Sequence, residues 1–262
     1  MKKRTAKNGY ILIPDGQLYY ERYGEGFPVI LLHGNGENHC ALLSYVRELR
    51  EENYQIILMD SRGHGRSELN IQALKKTMNS KDMAEDIFQL MKKLRLKKAV
   101  LFGFSDGANT ALEFAALYPK RAHAVVAVSP NAEPEGLRLP VRLFSKLGYH
   151  MDSLICELLS RKGRLEGLLG RYMQQLRFYH RLLLDSPHLS KEKLHKITCP
   201  VLMMAGTKDL IKGDHIRWMD RQMKTCHTIW VKGASHLSFY HRISWYLPVI
   251  KDFLKENIKE NQ

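Results

Sequence analysis

The chain has 262 residues, enough for one large domain with an insertion. Lys and Arg number 41 against 27 Asp and Glu, a formal net charge of +14, yet no basic run is interleaved with aromatics and no nucleic-acid motif is present, so nucleic acid is not the expected partner. No apolar run approaches the ~20 residues that span a bilayer, and Lys2-Lys3-Arg4 leads into polar residues rather than an apolar core, so neither membrane insertion nor a secretory signal is expected.

In chain order, Tyr10-Ile11-Leu12-Ile13 and Leu18-Tyr19-Tyr20 flank the turn signal Pro14-Asp15-Gly16 and predict a hairpin. Val29-Ile30-Leu31-Leu32 predicts a buried strand running into His33-Gly34-Asn35-Gly36. A helix is expected near 40 to 52. The next strand, Ile56-Ile57-Leu58-Met59, ends at Asp60-Ser61-Arg62-Gly63-His64-Gly65-Arg66-Ser67. A helix from about 81 to 94 follows, capped by Asn79 or Ser80.

The strand Ala99-Val100-Leu101-Phe102 enters Gly103-Phe104-Ser105-Asp106-Gly107. Beyond it, Ala108, Ala111, Leu112, Ala115 and Ala116 recur on one helical face until Tyr118, where Pro119 disfavours α geometry. Val125-Val126-Ala127-Val128 predicts another strand. Val201-Leu202-Met203-Met204-Ala205 and Thr228-Ile229-Trp230-Val231 predict the last two, and a closing helix is expected from about 240 to 256. Alternating strands and helices imply an α/β protein with a mostly parallel central sheet and helices on both faces.

One stretch breaks the alternation. From about 133 to 196 there is no strand pattern, only helical segments such as Ser153-Leu154-Ile155-Cys156-Glu157-Leu158-Leu159. Ligands of such sheets bind at the carboxyl ends of the strands, so the expected organisation is a core of 1–132 and 197–262 with a helical lid, 133–196, above that edge. Residues 137–196 carry twelve Lys and Arg against five Asp and Glu, half the net charge of the chain. A solvated outer face is the plainer reading of this excess; a basic rim that attracts anionic substrates is the sharper one.

G-x-S-x-G between a strand and a helix is the pattern of a nucleophile elbow. A serine on so sharp a turn is strained, and side chains two residues either side would collide with neighbouring backbone, which accounts for Gly103 and Gly107. A serine hydroxyl needs a base, and the base an orienting acid. His236, in Gly233-Ala234-Ser235-His236, and Asp209, in Gly206-Thr207-Lys208-Asp209, each follow a strand and fall on the same sheet edge as Ser105. Asp214 and Asp220 are weaker rivals in the next helical segment.

The expected oxyanion hole comprises the N–H of Asp106, at a helix N-terminus, and that of Asn35, with Gly36 as runner-up. His33, His64 and Asp60 are assigned to loop packing. The cysteines, Cys40, Cys156, Cys199 and Cys226, form no C-x-x-C pair, so neither a zinc site nor a redox pair is suggested, and free thiols suit a cytoplasmic location. Neither a metal nor an organic cofactor is implied.

Taken together, HG-x-G, D-x-R-G-x-G-x-S, G-x-S-x-G, G-x-x-D and G-x-x-H resemble the α/β-hydrolase superfamily, in its serine-nucleophile subgroup, over nearly the whole chain. The resemblance implies the α/β-hydrolase fold and hydrolysis of esters, lactones, thioesters or amides of small molecules, or of carbon–carbon bonds. Ser105-Asp106-Gly107, with Thr110-Ala111-Leu112 and Tyr118-Pro119, looks most like valacyclovir hydrolase and its bacterial relatives, although Ala108 stands where these usually have a second glycine. That group prefers α-amino-acid esters, which suggests that the Asp106 carboxylate binds a substrate ammonium group; a carboxylate tied to local backbone or to an arginine is the alternative. A ligand-binding protein on the same scaffold is the rival of a different class.

Overall fold

The computed structural model describes residues 6–50, 52–70, 73–74 and 79–259. Lys2-Lys3-Arg4 and Glu51, the latter within one expected helix, lie outside the described residues. The centre is a nine-stranded sheet in the order β1-β2-β4-β3-β6-β7-β8-β9, with the two-residue β5, Glu68–Leu69, paired to β2. The hairpin expected around Pro14-Asp15-Gly16 forms from β1, Lys7–Ile13, and β2, Gly16–Tyr23. It pairs antiparallel to β4, Tyr54–Met59, and every pairing from β4 onward is parallel. Those strands are β3 (Phe27–Leu32), β6 (Ala99–Phe104), β7 (Ala122–Val128), β8 (Val201–Lys208) and β9 (Cys226–Ser235).

Continuous apolar runs are explained by burial on both faces. Along β3, Ile30 and Leu32 pack into one core and Val29 and Leu31 into the other. The first core is covered by α2 (Ser80–Lys93), α3 (Asp106–Leu117) and α7 (Gly213–Gln222); the second by α1 (Leu43–Leu49) and α9 (Leu247–Lys259). At the start of α2 the expected cap is Asn79: its side chain accepts from Lys81 and Asp82 N–H while the Asp82 carboxylate accepts from Asn79 N–H, a complete capping box.

Two expectations need correction. The helix expected near 40 to 52 is shorter, because the side chain of Asn38 caps a 3-10 turn, His39–Leu42, before α1 begins. The closing helix begins at Leu247 rather than near Tyr240, with a short helix α8, Ser238–His241, and a 3-10 turn before it. Pro248 is the cause: it is tolerated in a first helical turn but would break a helix running through from Tyr240. β5 was not anticipated, since two residues carry no periodicity.

Between β7 and β8 the chain forms α4 (Leu139–Arg161), α5 (Leu168–Asp185) and α6 (Lys191–His195). α4 and α5 pack together as a helical hairpin, tied by the Asp152 carboxylate 2.8 Å from His180 Nδ1. Among the described residues no helix is long and apolar enough to cross a membrane.

Candidate active site

Ser105 joins β6 to α3 with φ 53° and ψ −120°, a left-handed conformation that costs a non-glycine residue strain. Its N–H donates to the Val128 carbonyl at 2.8 Å, and its carbonyl accepts from Ala108 and Asn109 N–H at 2.8 and 3.0 Å, so the turn is held from both sides. The backbone collisions expected at Gly103 and Gly107 are present in the fold. A Cβ on Gly103 would lie 2.2 Å from the Gly107 carbonyl oxygen, and one on Gly107 2.3 Å from that of Leu32.

Three side chains from separate strand ends meet here. His236 Nε2 lies 3.2 Å from Ser105 Oγ, and its Nδ1 lies 2.7 Å from Asp209 Oδ1. The Phe104 ring packs on the imidazole, with centroids 4.8 Å apart. Burial alone would raise the Asp209 carboxyl, but hydrogen bonds from His236 and Ser129 and the nearby imidazole charge outweigh it, and the carboxyl titrates below its ordinary range. An ionised Asp209 accepts from Nδ1–H and leaves Nε2 free to take a proton, as a serine nucleophile requires.

Sequence reasoning missed the residues that support Asp209. Ser129, at the end of β7 with φ 54°, donates its hydroxyl to Asp209 Oδ2 at 2.6 Å. Arg138 Nε donates to the Asp209 carbonyl at 2.7 Å. The one available signal was that Ser129 directly follows a buried strand, on the same sheet edge. Asp214 is exposed and paired with Arg217, and Asp220 accepts from Thr228, so neither rival joins the site.

The loop histidines have structural surroundings. His33 Nδ1 lies 2.7 Å from the Gly34 carbonyl, and its Nε2 accepts from Ser61 N–H; burial lowers its pKa. Burial and the neighbouring His33 lower that of His64 to about 3, so both are neutral rings. Asp60 accepts from the His39 and Arg66 N–H groups, fixing the Gly-rich turn.

Residues 34–37 form a tight turn in which Glu37 N–H donates to the Gly34 carbonyl and Gly36 adopts φ 74°. The Glu37 carboxylate accepts from Gly34 N–H at 2.9 Å and from the Tyr240 hydroxyl, tying this loop to the segment after His236. The Asn35 amide donates to the Tyr179 carbonyl of α5 at 2.9 Å, so the insertion also holds the loop. At the start of α3, Asp106 and Gly107 N–H have no preceding turn to bond, the usual state of a helix N-terminus.

The Asp106 side chain is unusual. Oδ1 accepts from the Asn109 amide at 3.1 Å, whereas Oδ2 is buried with no hydrogen-bond partner. Burial raises its pKa to about 6. Among the described residues neither local backbone nor an arginine holds it. No cluster of three or more potential metal ligands occurs among the described residues.

Residues 28–150 match the family model described as alpha/beta hydrolase fold. Serine hydrolase BPHL from Homo sapiens is 27% identical over 91% of this chain and 83% of its own length. A 2-hydroxy-6-oxo-6-phenylhexa-2,4-dienoate hydrolase from Comamonas testosteroni is 29% identical over 52% of this chain and 51% of its own. A thermophilic esterase from Thermogutta terrifontis superposes with a TM-score of 0.75 at 22% identity, covering 97% of this chain and all of that one. The sheet order, the strained serine turn and these matches define a hydrolase scaffold. The chain has the α/β-hydrolase fold and is an enzyme similar to these hydrolases.

Proposed function

We propose that the chain is a serine hydrolase that cleaves carboxylic esters of small substrates through an acyl-enzyme. Ser105 attacks the carbonyl, His236 takes its proton, and Asp209 stabilises the imidazolium. The oxyanion is held by the N–H groups of Asn35 and Asp106. His236 then protonates the leaving alcohol, and water repeats the sequence on the acyl group. The observation that carries this reading is the continuous Ser105–His236–Asp209 contact, at 3.2 and 2.7 Å, built from three strand ends. The insertion, 133–196, acts as the lid over a core of 1–132 and 197–262, a reading supported by the hold of Tyr179 on Asn35. Free thiols at all four cysteines fit a reducing cytoplasm.

Within this reading Asp106 selects amino-acid esters. A carboxylate beside a developing oxyanion disfavours the reaction unless a cation compensates, and a substrate ammonium group would partner the bare Oδ2. A panel of p-nitrophenyl acyl esters against glycyl and valyl esters tests both levels. Faster turnover of the aminoacyl esters, lost in Asp106→Ala, is the expected result; equal rates would remove the amino-group assignment, and no ester turnover at all would remove the esterase. The Comamonas relative motivates one further panel member, a dienone cleaved at a carbon–carbon bond by the same three side chains.

A further inference from the structure

Helix α4 is inside out. Its buried residues are Ser145, Asp152 and Cys156, and a Cβ on its Gly148 would meet the His180 ring at 2.5 Å. Small and polar groups therefore make its contact with α5. The opposite side carries Leu143, Phe144, Leu147, Met151, Leu154 and Leu158, spaced by three and four residues along one face. Phe144 is 72% exposed and Leu147 60%. Further apolar residues are exposed past the end of α4, where Leu168 is 91% exposed beside exposed Leu169 and Tyr172. Ten of the seventeen large exposed hydrophobic residues described fall between 139 and 172. Exposed apolar area concentrated in this way marks a contact surface.

The charge around the stripe selects its partner. Exposed Arg161, Lys162, Arg164 and Arg171 surround the leucines of the tip, with Glu157 and Glu166 as the acids among them. Four exposed basic residues against two acids at the tip would oppose a second copy of the same face. Leucines and an aromatic ring flanked by cations are instead the composition of a helix that lies in the interface of an anionic bilayer.

We infer that the α4–α5 hairpin docks on anionic phospholipid surfaces through the exposed Leu/Phe/Met stripe of α4 and the basic hairpin tip. The attachment is peripheral, since no described helix spans a membrane. It is independent of the hydrolytic chemistry, so Ser105→Ala binds vesicles as the unaltered chain does.

Co-sedimentation with vesicles of phosphatidylcholine containing phosphatidylglycerol, against pure phosphatidylcholine, is the test. Binding at least about tenfold stronger to the anionic vesicles is expected, weakening with added salt because surface charges are screened. Leu147→Glu and the pair Lys162→Glu with Arg164→Glu should each lower it by about tenfold or more, with melting temperature and turnover of a water-soluble ester unchanged. Equal binding to both vesicles, or none, overturns the proposal. So does a dimer in analytical ultracentrifugation that Leu147→Glu converts to monomer, since the stripe would then serve self-association.

Discussion

The central sheet and the helical insertion use leucine in opposite ways. In β3, Leu31 and Leu32 are sealed between two helical layers, whereas in α4 Leu143 and Leu147 stand in solvent over a face of Ser, Asp and Cys. The sheet holds three side chains from different strands to within a few tenths of an ångström of working distance, which requires a rigid frame. The insertion instead turns an apolar face outward and makes its internal contact with small and polar groups. The catalytic chemistry and the stability should both be concentrated in the sheet.

The largest effects should fall on the strand ends. Ser105→Ala lowers kcat by roughly 10⁶-fold without a loss of melting temperature. Asp209→Asn lowers it by about 10⁴-fold because the imidazole tautomer is lost, with a lower melting temperature because the buried charge that His236 and Ser129 hold is gone. Steady-state kinetics beside thermal unfolding checks this; ester turnover surviving Ser105→Ala would detach the chemistry from the elbow.

The next effect contrasts the two regions directly. Leu31→Ala, in the sheet, costs about 2–5 kcal/mol in chemical denaturation, while Leu147→Ala, on the insertion, stays within about 0.5 kcal/mol. Comparable losses at the two positions would mean that the α4 stripe is covered in solution.

A smaller effect sits at Asp106 and depends on pH. Its folded-state pKa, about 6, lies above the ordinary 3.8, so the fold favours the neutral carboxyl. That contribution to stability is complete below about pH 4 and is lost as pH rises through 6. Asp106→Asn cannot ionise and still offers an acceptor to Asn109. It should therefore be more stable than the unaltered chain at pH 8, by on the order of 1–3 kcal/mol, and equal to it at pH 4. Denaturation curves at the two pH values decide; a gain at pH 4 would point to packing rather than charge.

The core was legible because two-sided burial leaves an unbroken apolar run, and Val29 to Leu32 or Val125 to Val128 have no competing interpretation. The serine turn was legible because its glycines answer to backbone collisions that any sequence must avoid. Ser129 and Arg138 were not, since a hydroxyl and a guanidinium acquire their roles only when β7, β8 and the start of α4 converge on Asp209. The α4 stripe was hidden for a different reason: helical periodicity locates an apolar face but does not say whether that face meets a core or water. The closing helix was misplaced because apolar residues recur at helical spacing at Tyr240, Ile243 and Tyr246, and the interruption at Pro248 sets the start.

The proposed hydrolysis requires Ser105 to be an activated nucleophile. Labelling the intact protein with a fluorophosphonate and mapping the adduct by peptide mass spectrometry tests this most directly. The predicted result is a single adduct on Ser105, absent from Ser105→Ala and formed far more slowly in His236→Ala. An unlabelled Ser105, or an adduct on another residue at the same rate in all three proteins, would contradict it.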